Sequence, residues 1–222
     1  MKLCILIPAF NEEGRIGKVV QGARQFGDVV VVDDGSLDGT AKEAEGTGAH
    51  VIQFPENCGK GTAIQAGFSY FLKAEWDGII LLDGDGQHDP KEISRFIDVS
   101  RDESIEMWVG DRMSSSQDMP LIRRWTNFIM SKILSLLVGI HVPDTQCGFR
   151  FLRRSLVERI RLQASRFDIE SEILFEAARF TSDIRSVPIT SIYREEKSKI
   201  RPLRDTIRFL KLIMRVLKIG RK

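Results

Sequence analysis

The stretch Gly78-Ile79-Ile80-Leu81-Leu82-Asp83-Gly84-Asp85-Gly86-Gln87-His88-Asp89-Pro90 decides how this chain folds and where its chemistry lies. Gly78 to Leu82 is a short apolar run with β-branched content, which suits a strand covered on both faces. Directly beyond it stand two carboxylates, Asp83 and Asp85. Burying either one unpaired is costly, so both belong at the carboxyl edge of a sheet, where ligands collect in open α/β folds. Residues i and i+2 of an extended chain point to one side, so the pair can face a single hard cation. Mg2+ or Mn2+ suits these oxygens better than zinc and completes its shell with substrate phosphates. Gln87 adds a neutral oxygen, while Gly84 and Gly86 let the backbone approach a ligand. Asp89 followed by Pro90 reads as the cap and first position of the next helix.

Working outward, short apolar runs alternate with helical patterns. Leu3 to Ile7 precedes Ile16 to Phe26, Val29 to Val32 precedes Thr40 to Gly46, and Val51 to Phe54 precedes Lys60 to Ala74. Ile79 to Leu82 then precedes Pro90 to Val99, and Met107 to Gly110 reads as a further strand. The alternation predicts an α/β domain with a mostly parallel sheet flanked by helices on both faces. Later come helical patterns at Leu121 to Ile140, Leu156 to Leu162 and Ile169 to Phe180, a strand-like Ile184 to Tyr193, and a basic helix from Leu203 to Ile219. The polar loop from Ser114 to Pro120 marks the change of character.

Composition bounds the function. With 222 residues and 42% hydrophobic content, one domain with a full core is expected. Thirty-three basic against thirty-one acidic residues leave a net charge of +2, which argues against a general nucleic-acid binder. Cys4, Cys58 and Cys147 are odd in number and lack metal-ligand spacing, which predicts a reduced cytoplasmic chain. Leu3 to Ile7 is too short for a signal peptide, and no run of about 20 apolar residues predicts a bilayer span.

Three strand ends carry polar clusters: Pro8 to Glu13, Asp33 to Thr40, and the opening stretch. A doubly wound sheet brings such ends to one crevice, where massed carboxylates need a cation or hydrogen-bond donors. Asp34 can accept from the ring nitrogen of a base, and Phe10 offers that base a ring face. Asp33 and Asp34 also suit a turn, with Ser36, Asp38 and Thr40 starting a helix. Asn57-Cys58-Gly59-Lys60-Gly61 lacks the full phosphate-loop spacing, so a lysine at a helix start is the default reading of Lys60.

These segments, in this order, resemble the motif set of family 2 glycosyltransferases with the GT-A fold. Gly110-Asp111-Arg112, Arg123-Arg124-Trp125-Thr126-Asn127, Asp144-Thr145-Gln146-Cys147-Gly148-Phe149-Arg150 and Ser198-Lys199 narrow the likeness to dolichyl- and polyprenyl-phosphate sugar synthases. The resemblance implies one Rossmann-like GT-A domain over residues 1–202, with residues 1–112 as its nucleotide-sugar half and 113–202 as its acceptor half. It implies a nucleotide-diphospho-sugar donor of the GDP-mannose or UDP-glucose class. Pro8, Phe10, Glu12, Asp33, Asp34 and Lys60 would line the donor, with Asp83, Gly84, Asp85 and Gln87 at the metal and diphosphate. It also implies inversion at the anomeric carbon. Many relatives carry alanine where this chain has Gly84.

A lipid-phosphate acceptor simplifies the chemistry, because a phosphomonoester with a second pKa of about 6 is already a dianion at neutral pH and needs no base. Repulsion between the two anions is the obstacle, and the metal and cations are the remedy. Asp85, Arg112 and Lys199 are therefore the expected catalytic groups. Arg112 is assigned to the donor and acceptor phosphates, and Lys199 and one of Arg123 or Arg124 to the acceptor side, since guanidinium forks suit phosphate oxygens. Asp144 and Arg150 are expected to pair or to hold the loop shaping that site. A sugar-hydroxyl acceptor is the competing reading, and it needs a base, for which Asp144 is the candidate. A non-catalytic scaffold would have no use for a metal site.

The acceptor's apolar tail needs a surface. Leu121, Ile122, Trp125, Phe128, Ile129, Ile133, Leu136, Leu137 and Ile140 recur at helical spacing, more apolar than one sheet-facing stripe needs, which favours a membrane-interface or lipid-tail helix over a buried core helix. In the basic C-terminal helix, residues 203–222, Arg204, Arg208, Lys211, Arg215, Lys218 and Lys222 fall within roughly 40° of one direction. Such a helix suits an anionic membrane, with peripheral attachment at the cytoplasmic face, or packing on a membrane partner subunit or a second copy.

Overall fold

The computed structural model describes residues 1–114, 119–163 and 169–192. The first half follows the alternating pattern: β1 Leu3–Ala9, α1 Ile16–Ala23, β2 Asp28–Asp33, α2 Thr40–Gly46, β3 His50–Gln53, α3 Lys60–Phe71 and β4 Gly78–Leu81. A 3-10 turn Pro90–Glu92 leads into α4 Ile93–Val99, and Asp89 caps it by accepting from the Lys91 N–H at 2.9 Å. Then come β5 Met107–Asp111, α5 Leu121–Val138, β6 Arg150–Arg153, α6 Arg154–Val157, α7 Ile169–Ala178 and β7 Ile184–Pro188.

The seven strands form one sheet in the order β3-β2-β1-β4-β6-β5-β7. Its pairs are parallel except at β6, which runs antiparallel to both β4 and β5. β1 lies between β2 and β4, so successive crossovers leave it in opposite directions and a crevice opens at its carboxyl end. β6 reverses direction, so its first residue, Arg150, pairs with Leu81 of β4 at that same edge.

β6 carries no strand signal in the sequence. It is four residues long with arginine at both ends, and neighbours distant in sequence hold it in place. The expected helix from Leu156 to Leu162 reduces to the single turn α6, and the expected strand to Tyr193 ends at Pro188. Pro188 lies opposite Asp111, the last residue of β5, and the Ile189 N–H makes one further bond to the Asp111 carbonyl at 3.0 Å.

The core fills both sides of the sheet. Ile5, Ile7, Val31, Ile79, Ile80, Phe151 and Leu152 are essentially inaccessible, between helices that contribute Ile16, Val20, Phe71, Phe96 and Ile173. Each such side chain contributes about 1.5–3 kcal/mol of transfer free energy. Cys4 and Cys147 sit in this interior with their thiols pushed up to about 12 by burial.

α5 packs a mixed stripe on the core, with Met130, Leu134, Leu137 and Val138 among its inward residues, and leaves a second, apolar face exposed. Its buried residues are Asn127, Ser131 and Leu134, whereas Ile122 and Leu136 are each 84% exposed and Trp125 is 64% exposed. The inward hydroxyls are bonded to the body: the Thr145 N–H donates to Ser131 Oγ at 2.9 Å and the Val142 N–H to Ser135 Oγ at 3.0 Å. Among the described residues no helix is long and apolar enough to cross a membrane. The basic C-terminal helix expected over 203–222 lies outside the described residues.

Candidate active site

Hydrogen bonds sew the ends of β1 and β2 together. The Asp34 N–H donates to the Ala9 carbonyl at 2.8 Å, the Asn11 N–H to Ser36 Oγ at 2.9 Å and the Glu12 N–H to Thr40 Oγ1 at 2.8 Å. Asn11 adopts φ 54°, a left-handed conformation that asparagine tolerates, while its side chain accepts from the Leu37 N–H at 3.0 Å. This fold-back leaves Pro8 half-buried and Phe10 exposed at the mouth, and buries Glu12 in an ion pair with Arg15 at 2.9 Å.

The two adjacent aspartates divide their duties. Asp34, assigned from the sequence to a base nitrogen, gives its carboxylate to the loop after β3. It accepts from Asn57 Nδ2 at 3.0 Å, the Cys58 N–H at 2.7 Å and the Gly59 N–H at 2.9 Å. These bonds fold the segment that starts α3. Asp33 accepts from the Ser36 N–H at 3.1 Å through Oδ1, but its buried Oδ2 has no hydrogen-bond partner among the described residues. A buried carboxylate oxygen without a donor is costly, and a ligand N–H or hydroxyl would satisfy it.

The loop built by Asp34 delivers Lys60 to the crevice. Its Nζ lies 2.6 Å from Asp83 Oδ1 and 2.6 Å from Glu170 Oε1 on α7. Burial by itself would push the Lys60 ammonium down, but Asp83 and Glu170 outweigh burial and hold it well above the usual lysine range. Burial likewise pushes Asp83 up, and Lys60, then His88 and Arg112, pull it down further. The result is a charged, paired Asp83. Gly148 approaches its other side so closely that a Cβ there would lie 2.6 Å from Oδ2.

Asp85 is half-buried, with Oδ1 accepting from the Gln87 N–H at 2.9 Å. Gly84 is buried, and Gln87 is half-buried. No three His, Cys, Asp or Glu side chains among the described residues make a metal cage by themselves. Asp83, Asp85 and the Gln87 amide form an incomplete set, which fits a hard cation that takes its remaining oxygens from water and substrate phosphate.

At the end of β5, Arg112 grips Asp144 with Nε at 2.6 Å from Oδ2 and Nη2 at 2.9 Å from Oδ1. Both side chains are buried. The expected partnership of Asp144 with Arg150 is thereby corrected: Arg150 donates to the carbonyls of Cys147, Glu170 and Thr145 at 2.8, 2.6 and 2.7 Å. Proximity explains the exchange, since Arg112 meets Asp144 in fork geometry while Arg150 lies within hydrogen-bond reach of three backbone carbonyls. Arg150 does hold the 144–150 loop. Arg123 and Arg124 occupy the first turn of α5, the former half-buried and the latter exposed. Lys199 lies outside the described residues.

Two site residues escaped the sequence reading. Glu170 had no local signal, being one acidic residue among several on an apolar helix. His88 is buried, 5.5 Å from the Phe149 ring and 3.5 Å from Ser191 Oγ. Burial pushes its imidazole down to about 4. Beside it the Ile192 N–H donates to the Gln87 carbonyl at 2.8 Å, so the chain leaving β7 returns to the acidic loop.

Comparison with known proteins shows the family and the fold. A UDP-N-acetylglucosamine--dolichyl-phosphate N-acetylglucosaminyltransferase of Methanococcus voltae is 32% identical over 215 residues, covering 86% of this chain and 86% of its own. An undecaprenyl-phosphate mannosyltransferase of Micrococcus luteus is 28% identical over 209 residues, covering 88% and 85%. The crystal structure of M. tuberculosis glucosyl-3-phosphoglycerate synthase superposes with a TM-score of 0.73 at 21% identity, over 97% of this chain and 79% of that one. Residues 4–161 match the model of glycosyl transferase family 2, and the chain belongs to that family as a glycosyltransferase built on the GT-A fold.

Proposed function

We propose that this enzyme moves a hexose from a nucleotide-diphospho-sugar to a polyprenyl or dolichyl phosphate, inverting the anomeric carbon with the help of Mg2+ or Mn2+. The state of Asp144 carries the choice of acceptor. A hydroxyl acceptor needs a base, and the candidate for that role is fully buried and held in two-pronged contact with Arg112. A phosphate acceptor arrives already ionised. The names of the Methanococcus and Micrococcus relatives, both transferases to lipid phosphates, support the same reading.

In this mechanism Phe10 and Asp33 receive the base and ribose, and Asp34 holds the loop that closes over them. A divalent cation bound at Asp85, with Asp83 and Gln87, would neutralise the leaving diphosphate. Arg112, oriented by Asp144, faces the phosphates, and Lys199 with Arg123 or Arg124 serves the acceptor. No proton need be removed, so positioning and charge are what the protein supplies. The exposed apolar face of α5 suits contact with the acceptor's tail at a membrane surface, and the basic tail or a partner subunit would add attachment there.

The deciding experiment incubates the full chain with labelled GDP-mannose, UDP-glucose and related donors, a short polyprenyl phosphate and Mn2+, and scores label entering the organic phase. Transfer from one donor class, abolished in Asp85→Ala, is expected. No transfer from any donor, together with unchanged donor binding in Asp85→Ala, would sink the proposal.

A further inference from the structure

Lys60 joins the two halves of the crevice by donating to Asp83 on the β4 side and to Glu170 on α7, each at 2.6 Å. Neither carboxylate is loosely placed. Arg150 fixes the backbone of Glu170 through a 2.6 Å hydrogen bond to its carbonyl, and the Gly148 backbone stands so near the far oxygen of Asp83 that a Cβ there would lie 2.6 Å from it. A divalent cation approaching Asp83 and Asp85 therefore meets an ammonium already seated on Asp83 Oδ1. How fully that ammonium engages Asp83 depends on its second carboxylate.

We propose that Glu170 is a positioning residue that acts through Lys60: by sharing the ammonium it draws charge off Asp83 and sets how tightly the acidic pair takes a divalent cation. The inference rests on the metal reading above and adds a residue on α7 to it. Without Glu170 the ammonium turns wholly to Asp83, and without Lys60 the carboxylate is open.

The test titrates Mn2+ alone into the full chain, following the free ion by electron paramagnetic resonance, for wild type, Lys60→Met, Glu170→Gln and the double variant. Lys60→Met is expected to tighten binding on the order of tenfold, and Glu170→Gln to weaken it a few-fold. In the Lys60→Met background Glu170→Gln should have no further effect, because its route is gone. Equal weakening in both backgrounds, or single variants shifting affinity in the same direction, would overturn the inference. Thermal melts show which variants are folded, and Lys60→Gln replaces Lys60→Met in the cycle if the latter fails. Unchanged Mn2+ affinity across folded variants overturns this inference alone; no Mn2+ binding by wild type, with or without UDP or GDP, overturns the metal reading and this inference with it.

Discussion

Asp144 is bound by Arg112 at three points: Nε at 2.6 Å, Nη2 at 2.9 Å and the backbone N–H at 3.3 Å. Taking away one partner of such a buried pair leaves the other charged and unsolvated, at about 3–5 kcal/mol. Asp144→Ala is therefore expected to lower unfolding free energy by that amount in urea titrations at pH 7. Arg112→Lys keeps the charge but not the fork, so it should cost less than Asp144→Ala without being neutral. A cost below about 1 kcal/mol for Asp144→Ala would contradict the pairing.

Gly35 and Gly84 should respond oppositely to alanine. Gly35 has φ 72°, and a Cβ there would run into the backbone of Glu56 and Asn57. Left-handed strain and the clash together predict a loss above about 3 kcal/mol, or no soluble protein. At Gly84 a Cβ would sit 3.2 Å from Ile16 Cδ1 and 3.4 Å from Ala9 Cβ. Gly84→Ala is expected to stay within about 1 kcal/mol of wild type and to keep transferase activity. Paired thermal melts decide.

His88 predicts a pH dependence. Burial holds its folded pKa down to about 4, against about 6.5 in the unfolded chain. Between those values the unfolded state binds more protons, so stability rises with pH. As pH falls from about 6.5 to 4, His88 should cost up to about 3 kcal/mol. Urea midpoints at pH 7, 6 and 5 should therefore converge for wild type and His88→Gln as pH falls. Parallel curves would refute the assignment.

On α5 the inward stripe should matter to stability and the exposed apolar face to membranes. Ser131→Ala removes the acceptor for the Thr145 N–H and should cost about 1–3 kcal/mol. Ile122→Glu and Leu136→Glu change side chains that are each 84% exposed, so stability should move by about 0.5 kcal/mol or less. The same two variants should lose flotation with anionic liposomes, and deletion of residues 203–222 should weaken it further. Wild-type flotation by both glutamate variants would remove α5 from the membrane surface.

Much of this architecture is readable in one dimension. The alternation of buried strands with helices, the cap at Asp89 and the three polar strand ends depend on local periodicity and backbone preference, which neighbouring residues encode. β6 was hidden because two arginines frame four residues whose partners, β4 and β5, are far away in sequence. For α5 the excess of apolar residues favours a membrane-interface or lipid-tail helix over a buried one, but which residues turn inward shows only in three dimensions, where Leu134 joins the core and Ser131 and Ser135 are bonded to the body.

By itself, then, the sequence determined every strand but β6, the crevice and the presence in it of Asp33, Asp34, Asp83, Asp85 and Arg112. Only the tertiary structure decided which charge answers which. Asp34 folds a loop, Asp144 takes Arg112 in place of Arg150, and Lys60 divides itself between Asp83 and Glu170. The reason is physical: a charge removed from water is satisfied by whichever donor the sheet register and helix packing bring within about 3 Å, and sequence separation does not enter that choice.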